Sequence, residues 1–316
     1  MKYNSNTIFL GVIAAFLGLM TGSESPETGK LRVFVSILPQ KFIVERIGRD
    51  RVEVSVMTGP GQSPATYEPL PQQMIDLAEA AVYFRIGIPF EQAWMTKIQS
   101  INPGMKIIDT RNGITLREMD SFNEIQHIIE KGLSSVESQN HDHKHDKKGG
   151  SHNHGAKDPH VWLNPESMKI QANTVFETLT GLDKENKAYY KSNLDTLREE
   201  LDLLNAELER AFVSLTEKKM MVFHPAWGYF ADRFGLVQIP IEIEGKEPGP
   251  GQLSKIIEFA KNENIRVIFV QSQFSTKSAE VMAKEINGAV VTIDPLAENY
   301  IDNLRNAAKT IIRNIK

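Results

Sequence analysis

Residues 184–218 read KENKAYYKSNLDTLREELDLLNAELERAFVSLTEK, a stretch without glycine or proline. Its apolar residues, Tyr190, Leu194, Leu197, Leu201, Leu204, Leu208, Phe212 and Leu215, recur at steps of three and four. That spacing gathers them into one stripe along a single helix. At ~1.5 Å per residue such a helix would be about 50 Å long, more than one small domain needs. A coiled-coil dimerisation helix would carry a comparable stripe. The central position of the stretch favours a rigid spine between two domains, and the linking helix is assigned to residues 183–218.

Both flanks alternate β-rich and helical segments. Before the spine, residues 31–37, 52–57, 81–86 and 105–109 read as strands. Helices are expected from Pro39 and near residues 72–79, 90–99 and 165–179. After the spine come strands at 220–223, 236–243, 266–270 and 289–293, with helices at 227–234, 252–262, 276–286 and 298–315. Strands alternating with short helices imply parallel sheets with helices on their faces. The fold class is therefore α/β: two lobes, each a mainly parallel sheet flanked by helices, joined by one long linking helix. The 316 residues suffice for two such domains. The lobes are assigned to residues 31–182 and 219–316.

The N-terminus differs. After Lys2 an apolar run over residues 8–20 precedes Thr21, Gly22, Ser23, Glu24 and Ser25. This has the length of a signal-peptide core and is short for a spanning helix. Residues 1–25 are read as a signal peptide, with a retained anchor or an apolar first helix as alternatives. The chain has no cysteine, which excludes disulfides, thiolate ligands, a catalytic thiol and a lipidated cysteine after the apolar run. An exported, unlipidated product points to the periplasm. With 36 basic against 40 acidic residues and no basic block outside the N-terminus, nucleic acid is not a partner.

Six of the eight histidines fall within residues 141–165, HDHKHDKKGGSHNHGAKDPHVWLNP. His141, His143, His145, His152 and His154 lie in a polar loop, 140–155, whose composition cannot build a core. His160 opens an aromatic-apolar segment. Neutral imidazole suits Zn, Cu and Ni better than Ca or Mg. In open parallel sheets, ligands bind outside the carboxyl ends of the strands. His224 directly follows one predicted strand and Asp294 another, while His160 and the loop 58–69 follow two more. These places can converge across a cleft, and two imidazoles with one carboxylate suit Zn²⁺ or Mn²⁺. Singly, His224 also reads as a satisfied structural histidine and Asp294 as a helix cap. His127 reads as a surface helix residue, and Trp162 and Trp227 as walls of the site or of the core.

The segments DPHVWLNP (158–165), VFHPAWGYFADRFGL (222–236), EPGPGQL (247–253), VIFVQSQFSTKSAE (267–280) and IDPLAENY (293–300) resemble the zinc- and manganese-binding receptors of ABC importers, the ZnuA/TroA-like periplasmic solute-binding proteins. The resemblance spans essentially the whole chain after the signal. It implies two α/β lobes, a metal held between them by His160, His224 and Asp294, and a permease partner in the inner membrane. A histidine-rich loop before the DPHVW-like segment marks the zinc branch. One departure stands out. Where the family pattern has its first histidine ligand, in P-G-x-x-P-H-x-Y-E-P, this chain has Ala65. Water could complete the site, or Gln62, Tyr67 or Glu68 could swing in, or His152 or His154 could dock from the loop. Decay of the site is the remaining alternative.

The function read from this is capture of a divalent transition metal, zinc before manganese, and delivery to the permease by a monomeric, non-enzymatic receptor. Two alternatives stand beside it. A zinc hydrolase would use a His/His/Asp site with an open position, although the sequence lacks H-E-x-x-H and its one base candidate is Glu68. A metal buffer would bind chiefly through the histidine-rich loop.

Overall fold

The computed structural model describes residue 1 and residues 29–130, 157–243, 245–274 and 276–315. The expected signal segment beyond Met1 and the loop 140–155, with its five histidines, lie outside them. The first lobe is built from β1 (Leu31–Ile37), α1 (Leu38–Gly48), β2 (Val52–Thr58), α2 (Pro71–Asp76), β3 (Val82–Arg85), α3 (Pro89–Ile101) and β4 (Lys106–Asp109). All pairings are parallel, in the order β2-β1-β3-β4, with Val33 opposite both Val54 and Val82. Val33, Phe34 and Val35 of β1 and Val82, Tyr83 and Phe84 of β3 are buried in succession. Such uninterrupted apolar runs belong to a sheet covered on both faces. Pro39 and Pro89 sit in the first turns of α1 and α3, where a missing N–H costs nothing.

Next come α4 (Phe122–Glu130), α5 (Pro165–Leu182) and α6 (Lys187–Val213). The second lobe comprises β5 (Lys219–Val222), α7 (Gly228–Phe234), β6 (Val237–Pro240), α8 (Pro250–Asn262), β7 (Val267–Val270), α9 (Lys277–Glu285), β8 (Ala289–Thr292) and α10 (Tyr300–Asn314). Its sheet is also parallel, in the order β6-β5-β7-β8, so both lobes share one topology. In each sheet the strand order reverses between the first and third strands. That reversal is where α/β sheets hold ligands.

α6 is the predicted spine. Tyr190, Leu194, Leu197, Leu201, Leu204, Leu208 and Phe212 are all buried along it. It packs against α1 and α5 of the first lobe and against α7 and α10 of the second. The helix stops at Val213, short of the expected residue 218. Lys218 turns back and its Nζ donates to the Phe212 carbonyl at 2.7 Å. A cation thereby caps the carboxyl end of the helix before the chain enters β5.

α4 packs beside β6, although it precedes α5 in the chain. Phe122 meets Phe259 of α8 edge to face at 5.4 Å, and Ile125 and Ile129 cover the same apolar cluster. The segment from β4 thus crosses to the second lobe before the chain returns at Lys157. His127 is exposed on α4, as expected.

Candidate metal centre

His224 leaves the carboxyl end of β5, and its backbone is held from β7. The Gln271 amide donates to the His224 carbonyl at 2.7 Å, and Phe223 N donates to Phe269 O at 2.8 Å. Its imidazole stacks on Phe274, with ring centroids 5.1 Å apart. Its Nδ1 lies 2.6 Å from Oε2 of buried Glu242. His160 is arranged in the same way. Oδ1 of buried Asp158 accepts from both His160 N, at 2.9 Å, and His160 Nδ1, at 2.8 Å. A carboxylate on Nδ1 fixes the tautomer, so each ring presents its Nε2 lone pair. Burial pushes the His160 pKa below its ordinary value, against the upward pull of Asp158, and this favours the neutral, ligating form.

The two Nε2 atoms face each other at 3.4 Å. Lone pairs that close repel unless a proton or a cation lies between them. Two imidazole nitrogens bound to one tetrahedral zinc, each at ~2.0–2.1 Å, would be about 3.3–3.4 Å apart. The pair therefore already has the spacing that such an ion requires.

Behind His160 stands an ionic cluster. Asp158 turns its second oxygen to Arg117 at 3.4 Å, and Arg117 also pairs with Asp120 at 2.8 Å and Asp232 at 2.9 Å. Burial works against the guanidinium charge, but the carboxylates outweigh it and hold the Arg117 pKa above its ordinary value. Gly228 makes room for this arrangement, since a Cβ there would lie 1.5 Å from Arg117 Nη1. The Tyr229 hydroxyl accepts from Arg117 N and donates to the Asp158 carbonyl, tying α7 to the His160 turn.

The structure brings His160, His224 and Ala65 to one cavity between the lobes. Asp294 lines an adjoining one, and Gln273 lies on both. Asp294 Oδ1 accepts from Gln273 Nε2 at 2.8 Å and from Leu296 N at 2.9 Å. It does not cap α10, which begins six residues later at Tyr300. Among the described residues no group of three or more His, Cys, Asp or Glu side chains is spaced to hold a metal ion. The substitutes considered for the missing histidine are engaged elsewhere. The Gln62 amide oxygen closes a turn on Gly59 N, and the Tyr67 hydroxyl donates to Gln73 from a buried ring. Glu68 is exposed and outside the cavity lining. His141, His143, His145, His152 and His154 fall outside the described residues. Trp162 walls the cavity and Trp227 packs the core. Sequence reasoning missed Glu242 and Gln273. For Gln273 the available signal was a polar side chain just beyond the carboxyl end of a strand; Glu242 fell inside the strand expected at 236–243, which ends at Pro240.

Residues 33–314 match the family model described as zinc-uptake complex component A, periplasmic. The high-affinity zinc uptake system protein ZnuA of Bacillus subtilis is 28% identical over 91% of this chain and 85% of its own length. The manganese ABC transporter substrate-binding lipoprotein PsaA of Streptococcus pneumoniae is 26% identical over 89% of this chain and 84% of its own. A solved structure described as the crystal structure of ZnuA is 38% identical, with a TM-score of 0.78 over 91% of this chain and all of that one.

Proposed function

Because the chain belongs to the family of component A of periplasmic zinc-uptake complexes, we propose that it captures Zn²⁺ and delivers it to an ABC permease in the inner membrane. Members of this family are metal-binding receptors of ABC importers and not enzymes. The hydrolase alternative also loses its base, since Glu68 is exposed and does not line the cavity that holds the imidazoles. The observation that carries the zinc reading is the facing Nε2 pair at 3.4 Å, each ring anchored by a carboxylate. Manganese favours sites richer in carboxylate, whereas the donors gathered here are imidazoles. Asp294 is the proposed third protein ligand, once its carboxylate leaves Gln273. The histidine-rich loop gathers metal for the cleft, an assignment supported by Lys157, just beyond the loop, lining the cavity. The receptor works as a monomer, exported by residues 1–25 and carrying no lipidated cysteine.

Competition titration of the mature protein against a zinc-binding dye tests the assignment. One tight zinc site is expected, lost in His224→Ala. Unchanged stoichiometry and affinity in that variant would remove His224 from the site.

A further inference from the structure

The cavity that His160 and His224 line is larger and more apolar than a bare ion needs. It encloses about 140 Å³, where one water needs about 10–15 Å³ on the same measure. Pro64 and Ala65 bound it on the side where the family pattern has its histidine, and Ile88, Pro89, Phe274 and Leu296 bound it elsewhere. Gly87 opens the loop carrying Ile88 and Pro89 with φ at +81°, a conformation suited to glycine. Glu91 then pins that loop, accepting from Ile86 N at 2.8 Å and Gly87 N at 2.6 Å. The wall is thus a built surface.

An ion held by His160, His224 and Asp294 would need a further donor on the Ala65 side. Water there would have Ser63, Gln92 and Lys157 on the lining for partners, but it would leave the Ala65 methyl group, Pro64, Ile88 and Pro89 facing it uncovered. A donor atom carried on a small carbon frame meets both conditions: it completes the coordination and lays apolar surface against apolar wall. Gln92 and Lys157 also line this cavity and offer hydrogen-bond donors to a carboxylate.

We propose that the cargo enters this cleft as a metal complex with a small N,O-chelator of the amino-acid class, whose donors take the place of the histidine replaced by Ala65. This rests on the metal-capture reading above and adds the chemical form of the cargo.

Native mass spectrometry of the mature protein tests it, with Zn²⁺ alone and with Zn²⁺ mixed with L-histidine as probes. The expected spectrum from the mixture retains one zinc and one L-histidine together on the wild-type chain. Ala65→His should retain zinc and lose the co-bound L-histidine. Zinc K-edge absorption on the wild-type protein gives a second readout. It should count one more imidazole with the mixture than with zinc alone. If L-histidine strips zinc from the protein, or if zinc stays on the chain with the same shell in both samples, the chelate form of the cargo is wrong. If zinc is retained in neither sample, the metal-capture reading itself fails and takes this one with it.

Discussion

Glu242 decides how His224 can act. With its carboxylate 2.6 Å from Nδ1, the ring keeps its proton on that side and turns a lone pair into the cleft. Exchange for glutamine keeps the size and leaves the amide free to offer its N–H₂, which favours the opposite tautomer. Outer partners of this kind are worth about 10–100-fold in metal affinity. Glu242→Gln should weaken zinc binding by about that factor while thermal unfolding of the metal-free protein changes little; equal affinity in the dye titration would mean the carboxylate does not orient the ring. Asp158 and Glu242 differed in legibility. Asp158 lies two residues from its histidine, inside a segment that can be read as a unit. Glu242 meets its partner through β5–β6 pairing, which sets Val222 beside Pro240. Nothing local in the sequence reports that contact. Asp294 marks a related limit: its place after a strand was readable, but its hold on Gln273 was not.

α6 shows what periodicity alone can establish. Eight apolar positions spaced by three and four predicted a continuous buried stripe; seven of them are buried along α6, and the eighth, Leu215, lies past its end and is half-buried. The strands were readable for a similar reason, as short β-branched runs between turn residues. The end of α6 and the placement of α4 were not, because both depend on distant partners. A lysine returning to Phe212 O ends the first, and an apolar patch on the second sheet captures the other. Leu201 and Leu204 are fully buried at the middle of the spine, where no nearby chain end can relax a cavity. Leu201→Ala should cost about 2–5 kcal/mol of stability, read from the midpoint of urea unfolding. A cost near that of an exposed leucine such as Leu203 would show that the spine is not packed from both sides.

The two lobes share most of their interior, beside a second apolar cluster formed within the second lobe and α4. A single apolar cluster runs from Val33 and Phe84 of the first sheet, through α6, to Val222 and Phe269 of the second. Polar clasps reinforce it near the site. Trp162 Nε1 donates to the Pro295 carbonyl at 2.7 Å, and Tyr300 donates to the Trp162 carbonyl at the same distance. The turn that carries His160 is therefore gripped by the segment that carries Asp294. A shared core predicts shared unfolding, so calorimetry of the metal-free protein should give one transition for both lobes. Zinc should raise that one transition as a whole, because a ligand bound only by the folded state stabilises everything that unfolds with it. Trp162→Phe keeps the ring in the core and leaves the Pro295 carbonyl without its donor, a loss of about 1–3 kcal/mol. If the lobes are coupled as drawn, this change lowers the common transition without splitting it. Two resolved transitions in the wild-type protein, with zinc raising only one of them, would instead mean that α6 tethers two independently folding lobes.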